Sequence, residues 1–143
     1  MYGTDRAEIR EVFFRAWRRH RERQPLEGIE KLIVEVALQH PEYHAVLEAP
    51  DSQTDRDYAP VFGESNPFVH MGMHIAIAEQ LTIDQPPGVR EHYRQLQRRL
   101  PHAHAVEHAM MDCLNEMLWR ATREHRAPDQ TAYLDCLKRL GET

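Results

Sequence analysis

Apolar residues recur three and four positions apart through nearly every segment of the chain, and no segment sustains the alternation of a half-buried strand. The pattern predicts an all-α fold whose breaks fall at Gly and Pro. The first helix is expected from Thr4 or Asp5, where Asp5 and Glu8 have capping-box spacing, with Ile9, Val12, Phe13, Ala16 and Trp17 inward. Pro25 suits the first turn of a second helix that buries Ile29, Leu32, Ile33 and Val36. His20 and His40 continue these two stripes. Pro41 allows one short further turn, and a long acidic loop spans residues 49–65, carrying Asp51, Asp55, Asp57 and Glu64. A loop of this length in a compact domain is a candidate lid.

Ser65-Asn66-Pro67 is a helix start, because Asn can cap orphan amides and Pro has its φ already fixed for the first helical position. The helix that follows, near residues 66–82, is apolar all round, with Phe68, Met71, Met73, Ile75, Ile77 and Leu81 at different angles. That distribution predicts a central buried helix. A more polar helix is expected over residues 87–100, with Val89, Tyr93, Leu96 and Leu100 inward. A long one follows over residues 102–123, with Val106, Met110, Cys113, Leu114, Met117 and Leu118 on its apolar side. A last helix runs over residues 129–140, stopped by Gly141. The expected architecture is a bundle of five to seven helices in a single domain over residues 1–143.

Histidine changes this picture, since the chain holds 10 of them and three segments repeat His-x-x-x-His: His40/His44, His70/His74 and His104/His108. Residues four apart on a helix stand one turn above each other, which lets two imidazoles reach one metal ion. Glu107 falls on the apolar half of its helix, where a carboxylate needs a cation or a metal beside it. His70, His74, His104, His108 and Glu107 are therefore candidate metal ligands, with His40 and His44 as further or supporting groups. Imidazole with carboxylate suits zinc, iron, nickel or manganese. In a catalytic version of the site Glu107 is the candidate base that takes a proton from metal-bound water. The alternative is that the imidazoles fill space and bond backbone carbonyls. Neither HExxH nor Glu-x-x-His occurs, which removes the zincin and ferritin-like di-iron patterns.

Net charge is -5, yet the basic residues are clustered. Arg15, Arg18 and Arg19 lie on the first helix, and Arg90, Arg94 and Arg98 form a stripe on the polar helix, whereas residues 27–64 hold nine acidic groups against two basic ones. The arginines are candidate contacts for a protein, nucleic-acid or other acidic partner, or they pair with the acidic segment. No stacking aromatic platform accompanies them. The absence of a P-loop argues against nucleotide-dependent catalysis. Cys113 and Cys136 form no CxxC and read as buried free thiols in a reducing compartment. The polar start and the lack of a spanning apolar run make a cytoplasmic, non-membrane protein the expectation, with homo-oligomerisation open.

Three stretches carry a family resemblance: Asn66-Pro-Phe-Val-His-Met-Gly-Met-His-Ile-Ala-Ile-Ala-Glu-Gln80, Asp84-Gln-Pro-Pro-Gly88 and Glu107-His-Ala-Met-Met-Asp-Cys-Leu-Asn-Glu-Met-Leu-Trp119. With His40-Pro41-Glu42-Tyr43-His44 and the Asn-Pro-Phe-x-His-x-x-x-His motif, the chain resembles an uncharacterised DUF1841-type family of small proteobacterial proteins. The resemblance extends from the first helix to the last. It implies a short cytoplasmic bacterial protein and no established activity, substrate or cofactor, and it singles out the same histidines as the spacing does.

Overall fold

A computed structural model describes residues 6–58 and 66–142, and within them the chain is all-α, with no strand. The order is α1 (Arg6–Arg21), α2 (Ile29–Leu38), a 3-10 turn (Pro41–Tyr43), α3 (His44–Leu47), α4 (Pro50–Gln53), α5 (Pro67–Ile83), α6 (Val89–Gln97), α7 (Ala103–Glu124) and α8 (Gln130–Glu142). Two of these, α3 and α4, are single turns. No helix among the described residues is long and apolar enough to cross a membrane. The chain forms two compact units, Met1–Ile75 and Ala76–Thr143, and their boundary falls inside the continuous helix α5.

In the first unit α1 packs on α2. Its core holds Phe13, Phe14, Trp17, Ile33, Val34 and Leu47, joined by Phe68, Met71 and Ile75 from the start of α5. Phe68 meets Phe13 and Phe14 edge-on, each at 5.7 Å between ring centres, the arrangement that the ring quadrupoles favour. Phe13, Ala16 and Trp17 on α1 and Ile33 and Val36 on α2 are buried as the apolar pattern predicts, but each buried face begins one residue later than expected. On α1 the face is Arg10, Phe13, Phe14, Ala16 and Trp17, while Ile9 is 59% exposed. On α2 it is Glu30, Ile33, Val34, Val36 and Ala37, while Ile29 is exposed. The second helix also starts at Ile29, after Gly28, rather than at Pro25.

The two buried charges explain the shift. Arg10 donates to the carbonyls of Gln53 and Arg56, each at 2.8 Å, and its guanidinium lies over the Phe68 ring at 4.7 Å. Glu30 accepts from Arg19 at 2.9 Å and from the Glu27 backbone N–H at 3.1 Å. Each charged group thereby has polar partners, which makes its burial tolerable. Arg10 holds the start of the acidic loop, and the candidate lid continues into residues 59–65, outside the described residues.

Helix α5 starts as the sequence predicts. Asn66 Oδ1 accepts from the Phe68 and Val69 amides at 2.9 and 3.3 Å. Met71, Met73, His74, Ile75 and Ile77 are all buried although they point in different directions round the helix, which is the behaviour of a helix enclosed on several sides. In the second unit α8 packs against both α6 and α7. Val89, Leu96, Val106, Met110, Leu114, Tyr133 and Leu137 are buried there. The Tyr133 hydroxyl donates to Gln80 at 2.7 Å, and burial pushes its pKa up to about 12. The predicted free thiols are corrected: Cys113 and Cys136 form a disulfide between α7 and α8. Their sequence spacing resembles no metal or redox motif, and helix packing alone brings the two sulfurs together. Leu118, expected inward, is 43% exposed, and Met111 is buried in its stead.

Candidate metal centre

His40 follows the end of α2 and precedes Pro41, whose ring disfavours helical backbone in the residue before it. Its backbone is extended, at φ -129° and ψ 70°. The side chain folds back on the helix, and Nδ1 lies 2.8 Å from the Val36 carbonyl. A carbonyl only accepts, so Nδ1 carries the proton, and a neutral ring has its lone pair on Nε2. This bond fixes both tautomer and ring orientation, as the outer hydrogen bond of a metal-bound histidine does. The ring is 2% exposed, and Tyr43 stacks on it at 5.3 Å, nearly parallel.

Helix α5 supplies His70 and His74 one turn apart. The His74 ring is fully buried, 4.8 Å from that of His40. His70 is half-buried, with its ring 5.0 Å from those of both His40 and His74. Helix α7 carries His104 and His108, again one turn apart, with rings 4.2 Å from one another. The helix is fixed at its start by His102, whose Nδ1 accepts from the Ala105 amide at 3.2 Å.

Within the first unit the rings of His40, His70 and His74 thus lie 4.8–5.0 Å from one another. Three imidazoles can hold one ion, since metal sites with three protein ligands keep a fourth position open. His40 and His74 are buried and His70 is half-buried. In the second unit His104 is half-buried and His108 exposed.

The other predicted ligands are placed differently. His44 donates from Nε2 to the Ala37 carbonyl at 2.7 Å and packs on the Trp17 ring at 4.4 Å. The Trp17 indole N–H in turn donates to Glu48, which also pairs with Arg21. Those two donors, Trp17 first, hold the Glu48 carboxyl below the usual glutamate range. Glu107 is half-buried on α7, and its charge adds to the burial that raises the pKa of Tyr93. Tyr43 was not among the sequence candidates. Its signal is the Pro41 turn, which returns the chain against the His40 ring only one residue after Glu42.

The arginines singled out for partner binding are largely spent within the fold. Arg15 and Arg19 face Glu30. Arg90 donates to the carbonyls of Leu81 and Thr82 at the end of α5, and Arg94 pairs with Glu91. Arg18 and Arg98 are exposed, and neither makes an ion pair among the described residues.

Residues 5–139 match the model of a family described as a domain of unknown function (DUF1841). The chain belongs to that family. The match covers every histidine of the centre. No curated protein and no solved structure matches the chain.

Proposed function

We propose that the chain binds one divalent transition-metal ion through His40, His70 and His74 of the first unit. The observation that carries this reading is the mutual approach of the three rings, 4.8–5.0 Å between centres. Two further features support it. The Val36 carbonyl holds the His40 ring with Nε2 as the coordinating atom, and Tyr43 braces that ring from another side. An all-imidazole set favours zinc, nickel, copper or iron and discriminates against magnesium and calcium, which take oxygen ligands. Manganese is the least suited of the metals that the sequence suggests, because no carboxylate belongs to the set.

Elemental analysis of untagged protein purified without chelators tests the proposal, followed by titration of the apoprotein with cobalt(II). The expected result is one equivalent of metal per chain and the intense visible absorption of tetrahedral cobalt. His70→Ala changes a half-buried residue and leaves the two enclosed rings in place, so the folded variant should bind cobalt at least tenfold more weakly. His74→Leu should abolish the absorption while retaining bulk inside α5. Failure of the folded parent to take up any metal would refute the reading, as would equal affinity in both variants.

A further inference from the structure

Helices α6 and α8 together border a second concave site, open to solvent, within residues 76–142. Its cavity, about 460 Å³, is lined by His92, Gln95, Arg98, Arg99, Lys138 and Glu142, together with the backbone at Gly141. Three permanent cations therefore line one hollow with a single carboxylate. Lys138 is one of only two lysines in the chain.

Surface cations in this fold are commonly paired: Arg94 with Glu91, Arg120 with Glu116 and Arg126 with Glu124. Arg98 and Lys138 have no such partner among the described residues. Glu142 comes within ion-pair distance of neither. Arg99 is used locally, because its Nη1 donates to the Gly141 carbonyl at 3.0 Å and closes the last turn of α8. His92 adds a second observation. Its Nδ1 is buried and has no hydrogen-bond partner among the described residues, a costly state for a polar nitrogen that a bound ligand would relieve.

We propose that this hollow receives the phosphate group of a small phosphorylated molecule. Arg98 supplies the planar fork that matches two phosphate oxygens, Lys138 the point charge, and the His92 ring a further donor at Nδ1. Gln95 offers an amide to the remainder of the ligand. The volume exceeds that of a bare phosphate and lies within the range of small-molecule sites, about 300–1,000 Å³, so the organic part of a monoester is accommodated as well. The site shares no residue with the proposed metal centre.

Calorimetric titration of the full chain with inorganic phosphate and with glycerol phosphate, at ionic strength held constant with sodium chloride, tests the assignment. Saturable one-to-one binding of glycerol phosphate, tighter than that of inorganic phosphate, is expected. Arg98→Gln combined with Lys138→Met should weaken it at least tenfold, whereas Arg120→Gln should leave it unchanged. Lys138→Met alone, at an exposed position, should still weaken binding severalfold should the double variant fail to fold. His92 ring resonances of the parent should shift on titration. His70→Ala should bind glycerol phosphate like the parent, which separates this site from phosphate held by a metal. The proposal is overturned by absence of saturation, by variants that bind like the parent, by binding of inorganic phosphate alone, or by retention of phosphate-backbone polymers without binding of either small probe.

Discussion

Glu30 is a charged side chain in the buried face of α2, only 5% exposed, and its environment is built for the anion. The Glu27 amide, the Arg19 guanidinium and, more distantly, Arg15 all favour the ionised form over burial, so its pKa lies below the ordinary glutamate value. The depressed pKa means that the unfolded chain binds the proton more readily than the folded one. Stability from this group is therefore present above the ordinary glutamate pKa of about 4.3 and is lost as pH falls through the lower folded value. Glu30→Gln should lower the Tm at pH 7, and the gap to the parent should narrow as pH drops from 5 towards 3. Thermal unfolding across that range checks it, and a gap that is constant with pH would show that the carboxylate charge is irrelevant. The same residue explains a misreading of the sequence. Apolar pattern alone places Ile29, Leu32, Ile33 and Val36 inward, and Ile33 and Val36 are buried as it predicts. The buried face of Glu30, Ile33, Val34, Val36 and Ala37 begins with a charge, one residue after Ile29. On α1 the buried face likewise begins at Arg10 rather than at Ile9. A buried charge is legible only once its partners, which lie 11 and more than 40 residues away, are known.

Among the elements, the helices and their starts were the most legible part of the chain, because period and capping are local. Asn66 and Asp129 each accept amides of the following turn, as their residue types predict. The spacing of His70/His74 and His104/His108 likewise placed each pair on one helix face. What local pattern could not supply was the role of His40, which depends on a carbonyl one turn back and on a ring after Pro41. Nor could it supply the link between α7 and α8. Cys113 is buried and Cys136 partly exposed, 23 residues apart along the chain. Closing a loop of that length removes conformational freedom from the unfolded chain and is expected to contribute about 3 kcal/mol. Cys113→Ala with Cys136→Ala should show that loss in denaturant unfolding. Without reductant the parent should yield no alkylated cysteine under denaturing conditions, and two after reduction. Thiols that label in the unreduced, unfolded parent would remove the link from the account of α8. Tyr133 and Leu137 remain buried on α8 without it, so the helix should loosen rather than detach.

For the molecule as a whole, the metal proposal and the stability of the fold are linked. The imidazoles of His40 and His74 are already enclosed by the protein, and that of His40 is oriented by the Val36 carbonyl, so little of the binding free energy is needed to order them. An ion held by the folded chain and not by the unfolded one stabilises by RT ln(1 + [L]/Kd), about 2.7 kcal/mol at a hundredfold excess over Kd. For a chain of this size that corresponds to a Tm increase of roughly 5–11 °C. The measurement belongs to the oxidised protein, because reduction would free Cys113 and Cys136 as competing thiolate ligands. Zinc added to oxidised apoprotein should raise Tm in step with its concentration, a chelator should reverse the rise, and His74→Leu should eliminate it while keeping the helical signal. His44→Gln should preserve the increment, since His44 is committed to the Ala37 carbonyl, even though the variant unfolds at a lower temperature. An increment retained in His74→Leu would place the ion elsewhere, and its loss in His44→Gln would enlarge the ligand set. The expected pattern, one histidine variant losing the increment and its neighbour losing only basal stability, separates coordination from packing.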